Sequence, residues 1–432
     1  MDTERVSVAA VRPALAAACP SLTDGTAADA VAGVVPSFVA SPSSTAEVSA
    51  LLREAAAAGL AVVPRGSGTG LAWGAPPSRC DLVVDLRSMD QVVEHEAGDL
   101  VARVQAGATI GQLAVAFGSG SGSGQQLALD VRAEATVGGV VATGTAGPRR
   151  FRYGAPRDLL IGITVVRADG VVAQAGGKVV KNVAGYDLGK LFAGSQGTLG
   201  VITEAAFRLH PLPAAVAWVT AEFGPAERAG AVAAVAAAAG SALVPSAVEL
   251  DWPGGSRRPL RVGVLLEGTG PGVAERSRQM SELLAAPGGT VSVAETAPAR
   301  WGVLPDSATV VRVSFWVSSL GPVLDAVAAA GADTGVRPAV SGPAGAGALY
   351  ACLDPGTADE DAVRFVTALR ERVAGALESG GPRGGVSVLT APPAVLAASL
   401  DGAVPGLALM RAVKDQFDPD HRMFPGRFGG GG

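Results

Sequence analysis

Hydrophobic and polar positions along the chain switch between helical and strand periods. Ser44-Thr45-Ala46-Glu47 has the spacing of a capping box, a serine followed three residues later by glutamate. Val48, Leu51, Leu52 and Ala55 follow at helical spacing, with Gly59 as the stop. Leu60 to Pro64 reads as a short apolar strand running into Arg65-Gly66-Ser67-Gly68-Thr69-Gly70. Leu82 to Leu86 and Leu100 to Gln105 predict strands, and Thr109 to Phe117 a short helix. Ile161 to Arg167 and Val171 to Ala175, joined through Ala168-Asp169-Gly170, predict a hairpin. Gly197 to Leu209 contains a strand that ends at His210-Pro211. Three loops are predicted between these elements. Gly118 to Gly124 alternates Gly and Ser and has little to bury. Gly138 to Gly147 is a loop of small residues, and Gly176 to Leu191 a polar loop entering a helix.

After Pro213 the pattern changes. Ala-rich helical stretches near 226–239, 272–285, 320–331 and 358–377 alternate with strands near 216–222, 260–267, 309–317, 347–353 and 385–390. That order predicts an antiparallel sheet with helices on one face, an α+β domain. The expected organisation is a leading segment at 1–37, a first domain at 38–213, a second at 214–405, and a tail at 406–432 that returns to the first.

Composition narrows the function. The chain of 432 residues is 48% hydrophobic and 17% charged, enough apolar material for a sizeable core. The net charge of −5, with no basic run interleaved with aromatics, argues against nucleic-acid binding. Cys19, Cys80 and Cys352 are far apart and form no CxxC pair, so no iron–sulfur or zinc motif is present. Asp2, Glu4 and Arg12 do not fit a secretory leader. Ala229 to Val244 is apolar but stops at Pro245, short of a spanning helix. A cytoplasmic protein is expected, reaching a membrane face only through partners.

Pro64 to Gly70 places glycine at every second position after a strand. Glycines permit positive φ and remove side chains, so successive N–H groups can converge on an anion, with Ser67 and Thr69 adding hydroxyl donors. An isolated loop of this kind is also compatible with a simple tight turn. The Rossmann spacing fails, because the third glycine would fall at Leu71 or Trp73, and Gly189-Lys190-Leu191 is no Walker loop. A second stretch, Ala135-Thr136-Val137-Gly138-Gly139 through Thr143-Gly144-Thr145-Ala146-Gly147, would let a backbone lie close to a planar ligand.

Read in order, P-R-G-S-G-T-G, A-T-V-G-G, Tyr153-Gly154-Ala155-Pro156-Arg157-Asp158 and A-D-G resemble the FAD-binding domain of the p-cresol methylhydroxylase and vanillyl-alcohol oxidase family. Gly176-Gly177-Lys178 to Leu188 and Leu191 to Ile202 narrow the resemblance to the glycolate oxidase and D-lactate dehydrogenase branch. Ala146-Gly147-Pro148-Arg149-Arg150, with Val311-Arg312-Val313-Ser314, is most similar to the FAD-binding E-subunit type of glycolate oxidase. The close resemblance covers 38–213 and 411–428.

The resemblance implies a two-part FAD-binding domain plus an antiparallel-sheet α+β cap. It places the FAD pyrophosphate on Pro64, Arg65, Gly66, Ser67, Gly68, Thr69 and Gly70. Thr136, Gly138, Gly139, Thr143 and Thr145 would line the isoalloxazine and ribityl chain, and Gly200, Val201 and Ile202 would make backbone contacts. The first cradle offers no histidine or cysteine for a covalent flavin bond, so noncovalent FAD is expected.

The histidine-rich metal motif common in this branch is missing. The chain has His95, His210 and His421 only, none of them within 214–405, so no metal is expected. His95, between Glu94 and Glu96, is expected to be solvated, and His210 to be structural. Phe424 stands where relatives carry an asparagine in the tail. Lys181 and Tyr186 are the catalytic candidates, with Lys178 and Asn182 nearby. Arg149, Arg150 and Arg157 are candidate carboxylate binders. Arg157-Asp158 is expected to be structural, with each charge paired. The expected function is an FAD-binding subunit of a glycolate (2-hydroxy acid) oxidase complex, working with a sister FAD subunit and an iron–sulfur subunit. The alternatives are a self-sufficient hydroxy-acid dehydrogenase or oxidase, and a non-catalytic scaffold.

Overall fold

A computed structural model describes residues 8–119, 122–177, 187–253, 259–304, 307–377, 384–399 and 406–427. The chain divides into two compact units. One is Met1–Thr145 with Ala155–Leu212 and Asp401–Gly432; the other is Ala146–Gly154 with Pro213–Leu400. The expected first domain therefore loses 146–154. That segment is tied into the second unit, where Arg152 Nη1 donates to Ser246 Oγ at 3.2 Å and the Tyr153 hydroxyl donates to Glu267 at 2.9 Å.

The first unit holds two main sheets. The first is formed by β1 (Leu22–Asp24), β2 (Phe38–Ala40), β3 (Val62–Arg65) and β4 (Leu82–Asp85), in the order β1-β2-β4-β3. β2 and β3 run parallel to β4, and β1 is antiparallel to β2. All four residues of β4 are buried, as a strand covered on both faces requires. Helix α1 (Thr45–Ala57) joins β2 to β3. Ser44 caps it by accepting from the Glu47 N–H at 3.2 Å, but the Glu47 carboxylate turns to the Ser43 N–H instead of closing the box. Val48, Leu51, Leu52 and Ala55 form its buried stripe. Each fully buried Val or Leu contributes about 1.5–3 kcal/mol.

The second sheet is antiparallel throughout: β5 (Val92–Glu96), β6 (Val101–Gln105), β7 (Leu160–Val166), β8 (Val172–Gly176) and β9 (Val201–Arg208), in the order β5-β6-β9-β7-β8. Helix α2 (Ile110–Phe117) starts with a full capping box between Thr109 and Gln112. The small-residue stretch expected as a loop contains helix α3 (Val137–Thr143). Val137, Val140 and Val141 supply the i, i+3, i+4 spacing that the surrounding glycines obscure, and Gly144 ends the helix at φ +65°. The Gly-Ser loop falls partly on residues 120–121, outside the described residues.

The tail joins this unit through Leu407–Phe417 and a short extended stretch beside β3. Val62 N–H donates to Arg422 O at 2.8 Å, and Phe424 N–H donates to Val62 O at 2.9 Å. Buried Asp418 holds the turn, accepting from Lys414 Nζ and from the Met423 N–H.

The second unit is built on an eight-stranded sheet in which every neighbouring pair is antiparallel. The five expected strands are present. Three more were not expected: Ala247–Trp252, Thr290–Ala294 and Ala339–Gly342. The first alternates Glu249 and Asp251 with Val248 and Leu250, so it lacks the continuous apolar run of the other strands. Helices Arg228–Ala239, Gly270–Ala285, Leu320–Thr334 and Asp359–Leu377 share one core with Val219, Leu250, Val262, Val264, Val311 and Leu349. The opposite face of the sheet carries the alternating polar residues.

Candidate functional site

Four segments of the first unit line one cavity. Pro64 to Leu71 span the end of β3 and the loop after it. Thr136, Gly138, Gly139, Ala142 and Thr143 come from the start and face of α3. Gln196, Gly197, Gly200 and Ile202 lead into β9, and Phe424 and Arg427 come from the tail. The loop leaves the sheet at the carboxyl end of β3, the end at which open α/β sheets bind ligands.

Within that loop, Leu71 N–H donates to Gly68 O and Trp73 N–H to Gly70 O, both closing turns. The N–H groups of Gly66, Ser67, Gly68, Thr69 and Gly70 donate to no acceptor among the described residues. Five successive free donors make a cradle for an anion. Glycine is required for two separate reasons. Gly68 sits at φ +84°, which a side chain rarely adopts. Gly66 and Gly70 are pressed against α3: a Cβ on Gly66 would lie 2.0 Å from Thr136 Oγ1, and one on Gly70 2.8 Å from Thr143 Cγ2. The α3 start is held from below, since Val137 N–H donates to Ala108 O at 2.8 Å and Gly138 N–H to Ala106 O at 2.7 Å. Gly200, at φ +150°, would drive a Cβ to 2.6 Å from Val166 O.

Two arginines border the cradle, and they differ in charge balance. The Arg65 guanidinium is committed to carboxylates, bonding Asp85 at 2.8 Å and Asp29 at 3.1 Å. Burial pushes the Asp85 carboxyl up, but hydrogen bonds from Arg87 and Arg65 outweigh it and hold the group below its usual range. Arg427 has no such partner. Its Nε donates to Gln196 Oε1 at 2.8 Å, Nη1 to Leu71 O at 3.0 Å, and Nη2 to Gly70 O at 2.9 Å. All are neutral acceptors, and the side chain is buried over the Phe424 ring, 4.4 Å from its centroid. Desolvation by burial lowers its pKa to about 10. The uncompensated positive charge at the cavity is therefore Arg427, which the sequence reading did not single out.

Of the residues the sequence proposed for cofactor binding, Pro64 to Gly70, Thr136, Gly138, Gly139, Thr143, Gly200 and Ile202 line this cavity. Thr145 stands behind it, hydrogen-bonded to Thr143 Oγ1 at 2.6 Å, and the Val201 side chain points into the core. Lys178, Lys181, Asn182 and Tyr186 lie outside the described residues. Arg149 sits in the second unit, 3.7 Å from Glu267, and Arg150 also has partners there. Arg157 is exposed and pairs with no carboxylate among the described residues, contrary to expectation, while Asp158 caps its own turn at the Ala155 N–H. His95 is half-buried and not simply solvated: it packs on Phe117 and shares a 3.0 Å hydrogen bond with Gln125. His210 sits in a two-pair ladder with Gln126, and His421 pairs with Asp415. Among the described residues, no group of three or more His, Cys, Asp or Glu is placed to hold a metal, and no helix is long and apolar enough to cross a membrane.

Residues 36–176 match the family model described as an FAD binding domain. Glycolate oxidase subunit GlcD of Bacillus subtilis is 37% identical over 185 residues, covering 41% of this chain and 38% of that protein. D-lactate dehydrogenase of Archaeoglobus fulgidus is 40% identical over 174 residues, 40% of this chain and 38% of that protein. D-2-hydroxyglutarate dehydrogenase of Xanthomonas citri is 36% identical over 180 residues, with 41% and 38% covered. The chain thus matches 38% of the length of each of these relatives. Substrate-bound p-cresol methylhydroxylase shares the fold at a TM-score of 0.74 and 17% identity, covering 98% of this chain and 96% of that one. The isoeugenol complex of 4-ethylphenol oxidase from Gulosibacter chungangensis does so at 0.74 and 16%, covering 99% and 98%.

Proposed function

We propose, from the premise that this chain carries an FAD-binding domain of the p-cresol methylhydroxylase fold type, that it is an FAD-dependent oxidoreductase. It takes part in 2-hydroxy acid oxidation as a subunit that hands electrons to an iron–sulfur partner. The observation that carries the reading is the row of five free N–H donors from Gly66 to Gly70, facing a cavity floored by small residues. A pyrophosphate supplies the acceptors those donors need, and Arg427 supplies the opposing charge. The residues also fit the rest of the dinucleotide. Gly138, Gly139 and Ala142 leave the α3 face open to a flat ring, and no histidine or cysteine lines the cavity to bond it covalently.

When bound, FAD would supply a two-electron carrier for electrons that originate at the carbon bearing the substrate hydroxyl. The chain's own residues hold the cofactor, orient it and keep water from the α3 face. The three relatives support a 2-hydroxy acid as the substrate class. Residues 214–405 contain no histidine, so the commonest proton acceptor is missing from the second unit. With no cysteine pair for a cluster, this favours electron relay through a partner subunit. The sister flavin subunit and any membrane association belong to the same proposal.

The test is an anaerobic titration of the purified chain with glycolate and D-lactate, following flavin absorbance. A flavin that stays oxidised alone and bleaches once an iron–sulfur subunit and a sister flavoprotein are added supports the subunit reading. Bleaching by the chain alone makes it a self-sufficient dehydrogenase. A colourless protein that takes up no FAD overturns both.

A further inference from the structure

In the second unit, one row of the sheet's helix-free face carries polar side chains without hydrogen-bond partners among the described residues. The register places Ser387 opposite Arg312, Arg312 opposite Tyr350, Tyr350 opposite Ser341, and Ser341 opposite Asp251. Their chain neighbours Val311, Val313, Leu349, Val340 and Leu250 belong to the core under the helices, so these five side chains project from the other face. None of the five makes a side-chain hydrogen bond or ion pair among the described residues, though Asp251 feels the charges of Arg261 and Arg300. Arg312 Nε and Ser341 Oγ are buried with no partner. Buried polar atoms of this kind are rare, because each forfeits the hydrogen bonds it had in water. Arg312 and Asp251 cannot satisfy each other: three strand spacings separate them, about 14 Å. The guanidinium is left between a phenol and a hydroxyl on the neighbouring strands, and it pairs with no carboxylate among the described residues.

We propose that this row is a recognition site for a small carboxylate, in which Arg312 binds the carboxyl group and Tyr350, one strand away, meets the substrate hydroxyl. A guanidinium presents two parallel donors that match a carboxylate in a way a lysine cannot. Adjacent strands lie about 4.8 Å apart, which suits a molecule whose hydroxyl sits on the carbon next to its carboxyl group. The proposal rests on the 2-hydroxy acid reading and names the residues that would enforce it. The sequence reading looked for this role in Arg149, Arg150 and Arg157; Arg149 instead lies close to Glu267, whereas Arg312 has a buried Nε with no partner among the described residues.

The test uses the FAD-loaded chain and oxalate, a carboxylate that mimics a 2-hydroxy acid but has no oxidisable C–H bond. Binding is followed by calorimetry, alongside FAD affinity. Arg312→Met is expected to weaken oxalate binding at least tenfold and leave FAD affinity and the melting temperature unchanged. Arg312→Lys recovers only part, and Tyr350→Phe weakens glycolate binding more than acetate binding. Unchanged oxalate affinity in Arg312→Met overturns the proposal and leaves the 2-hydroxy acid reading standing. Equal losses for glycolate and acetate in Tyr350→Phe overturn the assignment of the hydroxyl. If the native protein binds neither oxalate nor glycolate, both the site and the reading fall.

Discussion

Replacing Arg427 by methionine isolates the charge at the cradle. The substitution keeps the length of the side chain and its packing on Phe424 but removes the donors to Gln196, Leu71 and Gly70. The guanidinium is 2.9 Å from Gly70 O, and the Gly70 N–H is one of the free donors. An oxyanion held by that N–H therefore lies on the order of 7 Å from the charge, once peptide and hydrogen-bond lengths are added. At that separation and an effective dielectric constant of about 20, the attraction is roughly 2 kcal/mol per unit charge. A loss of ~2 kcal/mol weakens binding about 30-fold. Titration of the apoprotein with FAD, read by flavin fluorescence, should show that loss. Riboflavin, which has the ring and lacks the phosphates, should bind native and variant proteins alike. Arg427→Lys keeps the charge while losing the fork, so it should fall between. Equal FAD affinities in native and Arg427→Met proteins would falsify the electrostatic argument. An equal loss for riboflavin would show that the side chain only props up the loop.

Three further outcomes follow from the same contacts. Gly66→Ala forces a Cβ against Thr136 Oγ1; it should cost about 1–3 kcal/mol of stability and most FAD binding, part of it regained in the Gly66→Ala/Thr136→Ala double variant. Recovery of nothing would place the strain elsewhere. Asp85 has a folded pKa below its unfolded value, so its stabilisation is complete above the unfolded pKa and disappears as pH falls through the folded one. Urea midpoints measured between pH 5 and pH 2 should therefore drop more steeply in the native protein than in Asp85→Asn, and parallel curves would contradict the pairing. Cys19, Cys80 and Cys352 are free and buried, and desolvation pushes Cys80 and Cys352 up to about 12. At pH 8 a disulfide reagent should label them only as fast as the protein opens, whereas rapid labelling of the folded protein would show an accessible thiolate.

The elements with strong periodicity were legible in the sequence, and so was the cradle. Gly66, Gly68 and Gly70 announce a backbone that must approach something closely, and the structure gives each a separate steric reason. The helix at Val137–Thr143 was hidden because its three valines are diluted by residues that read locally as loop. The strand Ala247–Trp252 was hidden because Glu249 and Asp251 break the apolar run by which the other strands were read. Arg427 could not be found by local reading, since its partners Gly70 and Leu71 lie more than three hundred residues earlier in the chain. Arg65 drew attention by standing inside the motif, but its charge is cancelled by Asp85 and Asp29, which no spacing rule reveals. Arg312 stood in the quoted V-R-V-S stretch, but no role could be read for it there, because its lack of a partner shows only across the neighbouring strands.

The most direct measurement is a crystal structure of the FAD-loaded chain. The account predicts pyrophosphate oxygens within about 2.7–3.2 Å of N–H groups between Gly66 and Gly70, with the flavin ring against the Gly138-Gly139 face of the Val137–Thr143 helix. A pyrophosphate bound elsewhere, with those five N–H groups facing only water, would contradict it.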